Sequence, residues 1–193
     1  LYDAFAQGQP SPLPVLPLQY GDYASWQRGK LRGDALDAHL EFWRKRLEGA
    51  PHELELLTDR PRRSATGRAA QRRALLPVSW VERLESLAQA EGATLFMAVL
   101  AGLQVLLSRY TGQKDLLIGA SHTNRGRKET KGLVGLFAES LVLRADLSGR
   151  PGYRELLRRA KADTEEAFAN AHVPFEPLLS ALGVEQDPTR APM

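Results

Sequence analysis

Cysteine is absent from all 193 residues. That excludes disulfide staples, thiolate metal sites and a cysteine nucleophile. An excess of one charge is also lacking: 26 basic residues face 23 acidic ones, a formal net charge of +3. A dedicated nucleic-acid binder carries a much larger basic surplus. Long hydrophobic runs are missing too. The most apolar uncharged stretch, 93–108, is shorter than the roughly 20 residues that span a bilayer and contains Thr94, Gly102, Gln104 and Ser108. No basic segment followed by an apolar one opens the chain, so no secretory signal is read and a cytoplasmic protein is expected. Leu1 stands where an initiator Met would, which predicts a piece of something longer.

What is present is an ordinary apolar content of 43%, enough for a packed core. Residues 1–8 read as the end of a helix. Pro10, Pro12, Pro14 and Pro17 then impose a stiff, extended connector, whose Leu13, Val15, Leu16 and Leu18 are expected to press onto a surface. From Tyr20 the pattern is helical, with breaks expected at Gly29 and Gly33. Leu36, Leu40, Trp43 and Leu47 form one apolar stripe with Phe42 at its flank. Gly49-Ala50-Pro51 ends that helix.

Residues 69–77 read as a strand. Ser79 is a plausible cap for a helix over about 80–91 with Val81, Leu84, Leu87 and Ala88 facing inward. Thr94 caps a helix over about 95–110 that is apolar nearly all round, as a helix between two layers would be. A short buried strand is expected at 115–120, a polar loop at 121–132, and a strand ending in Leu141-Val142-Leu143. Pro151 opens a helix to about 171, with Leu156, Leu157, Ala160 and Phe168 inward, and a short helix follows over about 175–182. This alternation predicts an α/β or α+β layered fold.

Complete catalytic motifs are not found. His39, His52, His122 and His172 show no metal-ligand spacing, apart from His52 beside Glu53 and Glu55 in a loop, so no metal site is expected. Gly132-Leu133-Val134-Gly135 leads into a strand, the wrong order for a phosphate cradle. Arg60, Arg62, Arg63 and Arg68 fit either a solvated loop beside an edge strand, the favoured reading, or a phosphate site. The loop Ser121–Arg127 follows a buried strand, a common place for function, and reads equally well as a polar turn. Glu139-Ser140 interrupts an apolar run. The favoured reading of Glu139 is an exposed loop residue; the others are a wet cavity or an arginine partner.

Several segments, in order, resemble the condensation domain of nonribosomal peptide synthetases. They are Tyr20-Gly21-Asp22-Tyr23-Ala24-Ser25-Trp26-Gln27; Phe42-Trp43 to Leu47 with Gly49-Ala50-Pro51; Thr94-Leu95-Phe96-Met97 with Arg109-Tyr110-Thr111-Gly112-Gln113; Ile118-Gly119 leading to Asn124-Arg125; Gly132-Leu133-Val134-Gly135-Leu136-Phe137 to Arg144; and His172-Val173-Pro174-Phe175-Glu176 with Asp187-Pro188-Thr189-Arg190-Ala191-Pro192.

The resemblance implies a chloramphenicol acetyltransferase-like fold of two lobes around a tunnel. Residues 1–19 would be the end of a first-lobe helix and the inter-lobe linker, and 20–193 part of the second lobe. It implies amide formation between substrates carried on the 4'-phosphopantetheine arms of donor and acceptor carrier proteins. An adjacent adenylation domain and the missing first lobe are the other partners; nucleic acid and membrane are not. No cofactor is bound directly. The family's H-H-x-x-x-D-G motif is absent, so no catalytic residue is expected here and the chain alone is expected to be inactive. Alternatives are an epimerization, cyclization or acyltransferase domain of the same superfamily, or a non-catalytic carrier-docking module.

By the same resemblance, Ser121, Asn124, Arg125, Glu139 and Ser140 are candidate tunnel residues, with Glu139-Ser140 standing where the family usually has Asn-Thr. Arg125 is expected to make a structural ion pair or a tunnel contact. Tyr20, Asp22, Tyr23, Trp26, Ile118, Gly119, Pro174, Phe175 and Glu176 are expected to be structural. Arg60, Arg62, Arg63, Arg158 and Arg159, with Arg73 and Lys161 beside them, are candidates for docking an acidic carrier.

Overall fold

The computed structural model describes residues 1–58 and 70–184. Helix α1 (Tyr2–Ala6) is short, and Gly8 turns the chain after it at φ +68°. The proline-rich segment runs without helix or strand, as its fixed φ angles dictate. Of its apolar residues only Leu16 tucks in, against the cluster of Tyr23, Leu133 and Phe137; Leu13, Val15 and Leu18 stay exposed, against expectation.

Helix α2 (Tyr20–Lys30) starts where the Asp22 carboxylate accepts the Gln19 backbone N–H at 2.8 Å. Asp22 is therefore a helix-start residue that occupies an otherwise unpaired donor. Gly33, at φ +55°, separates α2 from α3 (Asp34–Leu47), whereas Gly29 stays inside α2. The predicted stripe of α3 packs into the main core: Trp43 and Leu47 are buried, Leu36, Leu40 and Phe42 half-buried.

No strand forms over the described residues 70–77, and the predicted strand there is not found. Leu75 and Leu76 are exposed, with no described neighbour strand to supply a ladder. Helix α4 (Val78–Ala90) follows Pro77 directly, so Ser79 lies in its first turn and does not cap it. Helix α5 (Leu95–Thr111) is capped as predicted: the Met97 N–H donates to Thr94 Oγ1 at 3.3 Å. Its inner face buries Met97, Ala98, Leu100, Ala101 and Gln104. The opposite stripe, Phe96, Val99, Leu103, Leu106 and Tyr110, is 40–67% exposed, so α5 is not covered on both sides among the described residues.

Strands β1 (Asp115–His122) and β2 (Glu139–Asp146) pair antiparallel, from Asp115 opposite Asp146 to His122 opposite Glu139. Ser121 and His122 therefore belong to a strand rather than to a loop. Glu139 and Ser140 begin β2 instead of interrupting it, because their backbones complete the ladder. Helix α6 (Tyr153–Ala169) lies against β2 and α5. It buries Leu156, Leu157 and Ala160, but Phe168 faces outward against the His122 ring at 4.8 Å. Helix α7 (Phe175–Leu182) matches its predicted limits, between Pro174 and Gly183.

The core joins α3, α5, both strands, α6 and α7 through Trp43, Leu100, Leu117, Val142, Leu143, Ala160 and Leu178. Trp43 is 1% exposed and donates its indole N–H to the Asn170 carbonyl at 3.2 Å. Truncating a side chain of this kind costs about 3–5 kcal/mol. Arg144 grips both carboxylate oxygens of Asp115, at 3.0 and 2.7 Å, and donates to the carbonyls of Arg46 and Glu48, at 2.8 and 3.0 Å. It thus pins the end of α3 to the ladder. The described fold is a mixed helix-and-strand layer built on a two-stranded sheet. No single described helix is long and apolar enough to cross a membrane.

Candidate functional site at the end of the ladder

Between β1 and β2 the chain makes a long excursion over 123–138, with one 3-10 turn at Lys128–Thr130. Helix α2 lies against this excursion. Tyr20 donates its hydroxyl to the Leu136 carbonyl at 2.8 Å, and its ring meets Phe137 edge-on at 5.3 Å. Gly135 is required here, because any Cβ would overlap the Tyr20 ring. Tyr23 is buried against Phe137 at 4.7 Å and Trp26 at 5.9 Å.

Arg125 organises the loop from inside. Its guanidinium donates to the Thr130 and Leu133 carbonyls, at 2.7 and 3.0 Å, and lies 4.0 Å from the Phe137 ring centroid. The expected ion pair is not made among the described residues. Two carbonyls and an aromatic face take its place, a combination that suits the planar guanidinium. Asn124 adopts φ +48°, a left-handed conformation that Asn tolerates, and its amide donates to the Tyr23 hydroxyl at 3.2 Å. Arg127 stacks on the Trp26 ring at 4.1 Å.

The electrostatics centre on Glu139. It is half-buried and hydrogen-bonded to the Gln27 side chain, and desolvation pushes its carboxyl above the ordinary range. The exposed loop glutamate favoured by the sequence is corrected accordingly: Glu139 is a strand residue with a carboxamide partner. Burial, then the nearby Glu139 and Tyr20, raises the Tyr23 phenol, while Arg127 opposes the rise. The loop end therefore holds a carboxyl biased toward its neutral form beside a phenol biased toward its protonated form.

All five candidate tunnel residues lie at this one end. Ser121 and Ser140 face each other across the ladder and are exposed; Asn124, Arg125 and Glu139 are half-buried around Tyr23 and Phe137. Tyr20, Tyr23 and Trp26 join them. Ile118 packs against the core and the exposed Gly119 pairs with Val142. Pro174, Phe175 and Glu176 start α7 some distance along the chain from this site, with Phe175 on the core and Glu176 exposed. Nearby, His172 meets the His39 ring at 5.8 Å. Desolvation, then His39, Lys30 and His122, holds the His172 imidazole below its usual value. No group of three or more metal-ligating side chains is assembled among the described residues.

Gln27, Arg127 and Phe137 were not singled out as site residues. Their only signal was membership of the motif segments 20–27 and 132–137 and of the loop ending at Arg127, and what they touch depends on tertiary packing. The docking candidates divide. Arg60, Arg62 and Arg63 lie outside the described residues. Arg158 pairs with Glu91 and Glu155, and Arg159 with Glu155 and Asp146.

A family profile described as the condensation domain matches residues 1–193. The chain belongs to the condensation-domain family. It is 44% identical, over its whole length, to a segment making up 4% of a linear gramicidin synthase protein from Brevibacillus parabrevis. Among solved structures, the X-domain from teicoplanin biosynthesis superposes at a TM-score of 0.87 with 31% identity, covering 99% of this chain and 44% of that one. The condensation domain from the Monacolin K polyketide synthase MokA superposes at 0.74 with 28% identity, covering 92% and 42%. The chain thus spans less than half of the condensation-domain structures it matches and a small part of the synthase. The layered fold and the family implied by the sequence motifs both agree with these likenesses.

Proposed function

We propose that this chain supplies one wall of the substrate tunnel in a nonribosomal peptide synthetase condensation domain. The observation that carries the reading is the convergence of Ser121, Asn124, Arg125, Glu139 and Ser140 on the face where α2 closes over the loop. The reaction joins two carrier-bound substrates. The acceptor amine attacks the donor thioester carbonyl, the C–N bond forms, the C–S bond breaks, and the donor carrier's thiol leaves. The amine must lose a proton to a group within hydrogen-bond reach.

No side chain at this ladder end is assigned that proton. Glu139 is half-buried against the Gln27 side chain, the His122 ring lies against Phe168, and the imidazoles of His39 and His172 engage Asn170 and each other. The chain's part is to shape and line the passage, with Arg125 and Phe137 holding the loop; residues 1–19 lead in from the other lobe. The substrates ride on 4'-phosphopantetheine arms of donor and acceptor carrier proteins, with an adenylation domain as neighbour, in the cytoplasm.

The test is a mass-spectrometric assay with loaded donor and acceptor carriers. The complete condensation domain is expected to give the amide, and the 193-residue chain alone none. Amide from the chain alone overturns the division of labour. No amide from the complete domain overturns the assignment.

A further inference from the structure

The arginines of α6 are engaged within the molecule. Arg154 and Arg158 donate to Glu91 at 2.6 and 3.0 Å, and Arg158 and Arg159 donate to Glu155 at 3.0 and 3.2 Å. A second concentration of positive charge is built differently. Trp26, on α2, is 38% exposed and is flanked by Lys30 Nζ, 5.3 Å from its ring centroid, and by the Arg127 guanidinium at 4.1 Å. Lys128 and Lys131 continue from Arg127 along the 3-10 turn, and all four cations are exposed. Among the described residues none of the four makes an ion pair. Glu129 is the acid within the turn; Glu139, the acid behind it, is half-buried with Gln27 as its partner.

The contrast between the two patches is physical. A cation paired with a carboxylate of its own chain adds little net charge to the field that an approaching partner meets. A guanidinium stacked on an indole loses nothing by binding an acid, because its in-plane N–H groups still point outward. Exposed, unpaired cations on one face attract an acidic partner and speed its encounter, and a central Trp gives the contact an apolar anchor.

We propose that Trp26, Lys30, Arg127, Lys128 and Lys131 form the docking face for an acidic carrier protein, in place of the ion-paired arginines of α6. This rests on the carrier-dependent reading above and adds the place where the carrier sits.

The experiment measures binding of a purified holo carrier protein to the complete condensation domain by calorimetry, at two ionic strengths either side of about 0.1 M. Lys30→Glu and Arg127→Glu are expected to weaken binding about tenfold or more and to flatten its salt dependence. Arg158→Glu is expected to stay within about twofold, since its charge is already engaged. Circular dichroism melts check that each variant folds, and the exposed Lys128→Glu gives the same readout should Arg127→Glu not fold.

Unchanged affinity in the Lys30 and Arg127 variants, or an equal loss in Arg158→Glu, overturns the docking face while leaving the carrier-dependent reading intact. No binding by the wild-type domain overturns both. Tighter binding to anionic vesicles or to an oligonucleotide than to the carrier also overturns it.

Discussion

Position 135 has no room for a side chain because the ring of Tyr20 occupies the space where its Cβ would be. The same tyrosine donates its hydroxyl to the neighbouring Leu136 carbonyl. Helix α2 and the loop before β2 are thus fitted to each other at a single residue. Gly135→Ala is expected to lower stability by about 1–3 kcal/mol through overpacking. Combined with Tyr20→Leu the loss should be less than additive, because the second variant removes the ring that the new methyl overlaps. Urea midpoints of the two single variants and the double variant check this; strict additivity would refute the fit.

Arg125 satisfies two carbonyls and covers Phe137 while half-buried. An ammonium cannot fork to both carbonyls while lying flat on the ring. Arg125→Lys is therefore expected to cost about 1–3 kcal/mol, as a loss of hydrogen bonds to a charged group. It should also raise amide exchange across 126–134 more than across β1. Exchange rising equally everywhere would mean that Arg125 has no local role.

Asp163 on α6 is 5% exposed and holds Arg46 of α3, which also reaches Glu166 at 2.7 Å. Arg46 keeps Glu166 if Asp163 is lost, whereas the buried Asp163 is stranded if Arg46 is lost. Arg46→Met is therefore expected to cost about 3 kcal/mol, and the double variant with Asp163→Leu clearly less. The two transition midpoints decide it.

The pH dependence has two opposing contributions. His172 is held below its ordinary value of 6.5 by desolvation and by His39, Lys30 and His122. Between that lowered value and 6.5 the unfolded chain takes up a proton that the native one refuses, so stability falls as pH drops through this window. Glu139 is raised above 4.5, so the native chain keeps a proton that the unfolded one loses, and stability falls as pH rises through its window. His172→Gln should reduce the loss of stability on acidification below 6.5. Glu139→Gln should gain stability near neutrality and lose that advantage below 4.5. Denaturant midpoints across pH measure both slopes.

Local chemistry made much of the fold legible. Gly33, Gly49, Thr94 and Pro174 each mark a helix limit that holds, because caps and turns act over a few residues. The misreadings share a cause. Residues 70–77 have strand-like composition, but a strand needs a partner in the ladder, and composition says nothing about the partner. Glu139 looked like an interruption because its polarity was weighed without the backbone pairing that admits it. At the site, Ser121, Asn124, Arg125, Glu139 and Ser140 were found together through family motifs. The contacts of Asn124 with Tyr23 and of Glu139 with Gln27 join residues a hundred or more positions apart, a relation no local pattern contains. The engagement of Arg158 and Arg159 by Glu155 was within reach at helical spacing, three and four residues apart.

The uncovered stripe of α5 has a practical meaning for anyone handling this polypeptide by itself. Phe96, Val99, Leu103, Leu106 and Tyr110 form a greasy seam along a rigid rod. Solvent-facing seams of this size recruit detergents, reporter dyes or other molecules of the same kind. Produced in isolation, the polypeptide should light up a dye such as anilinonaphthalene sulfonate and elute early at high concentration. Swapping Val99 and Leu106 for glutamate should suppress both behaviours without unfolding it.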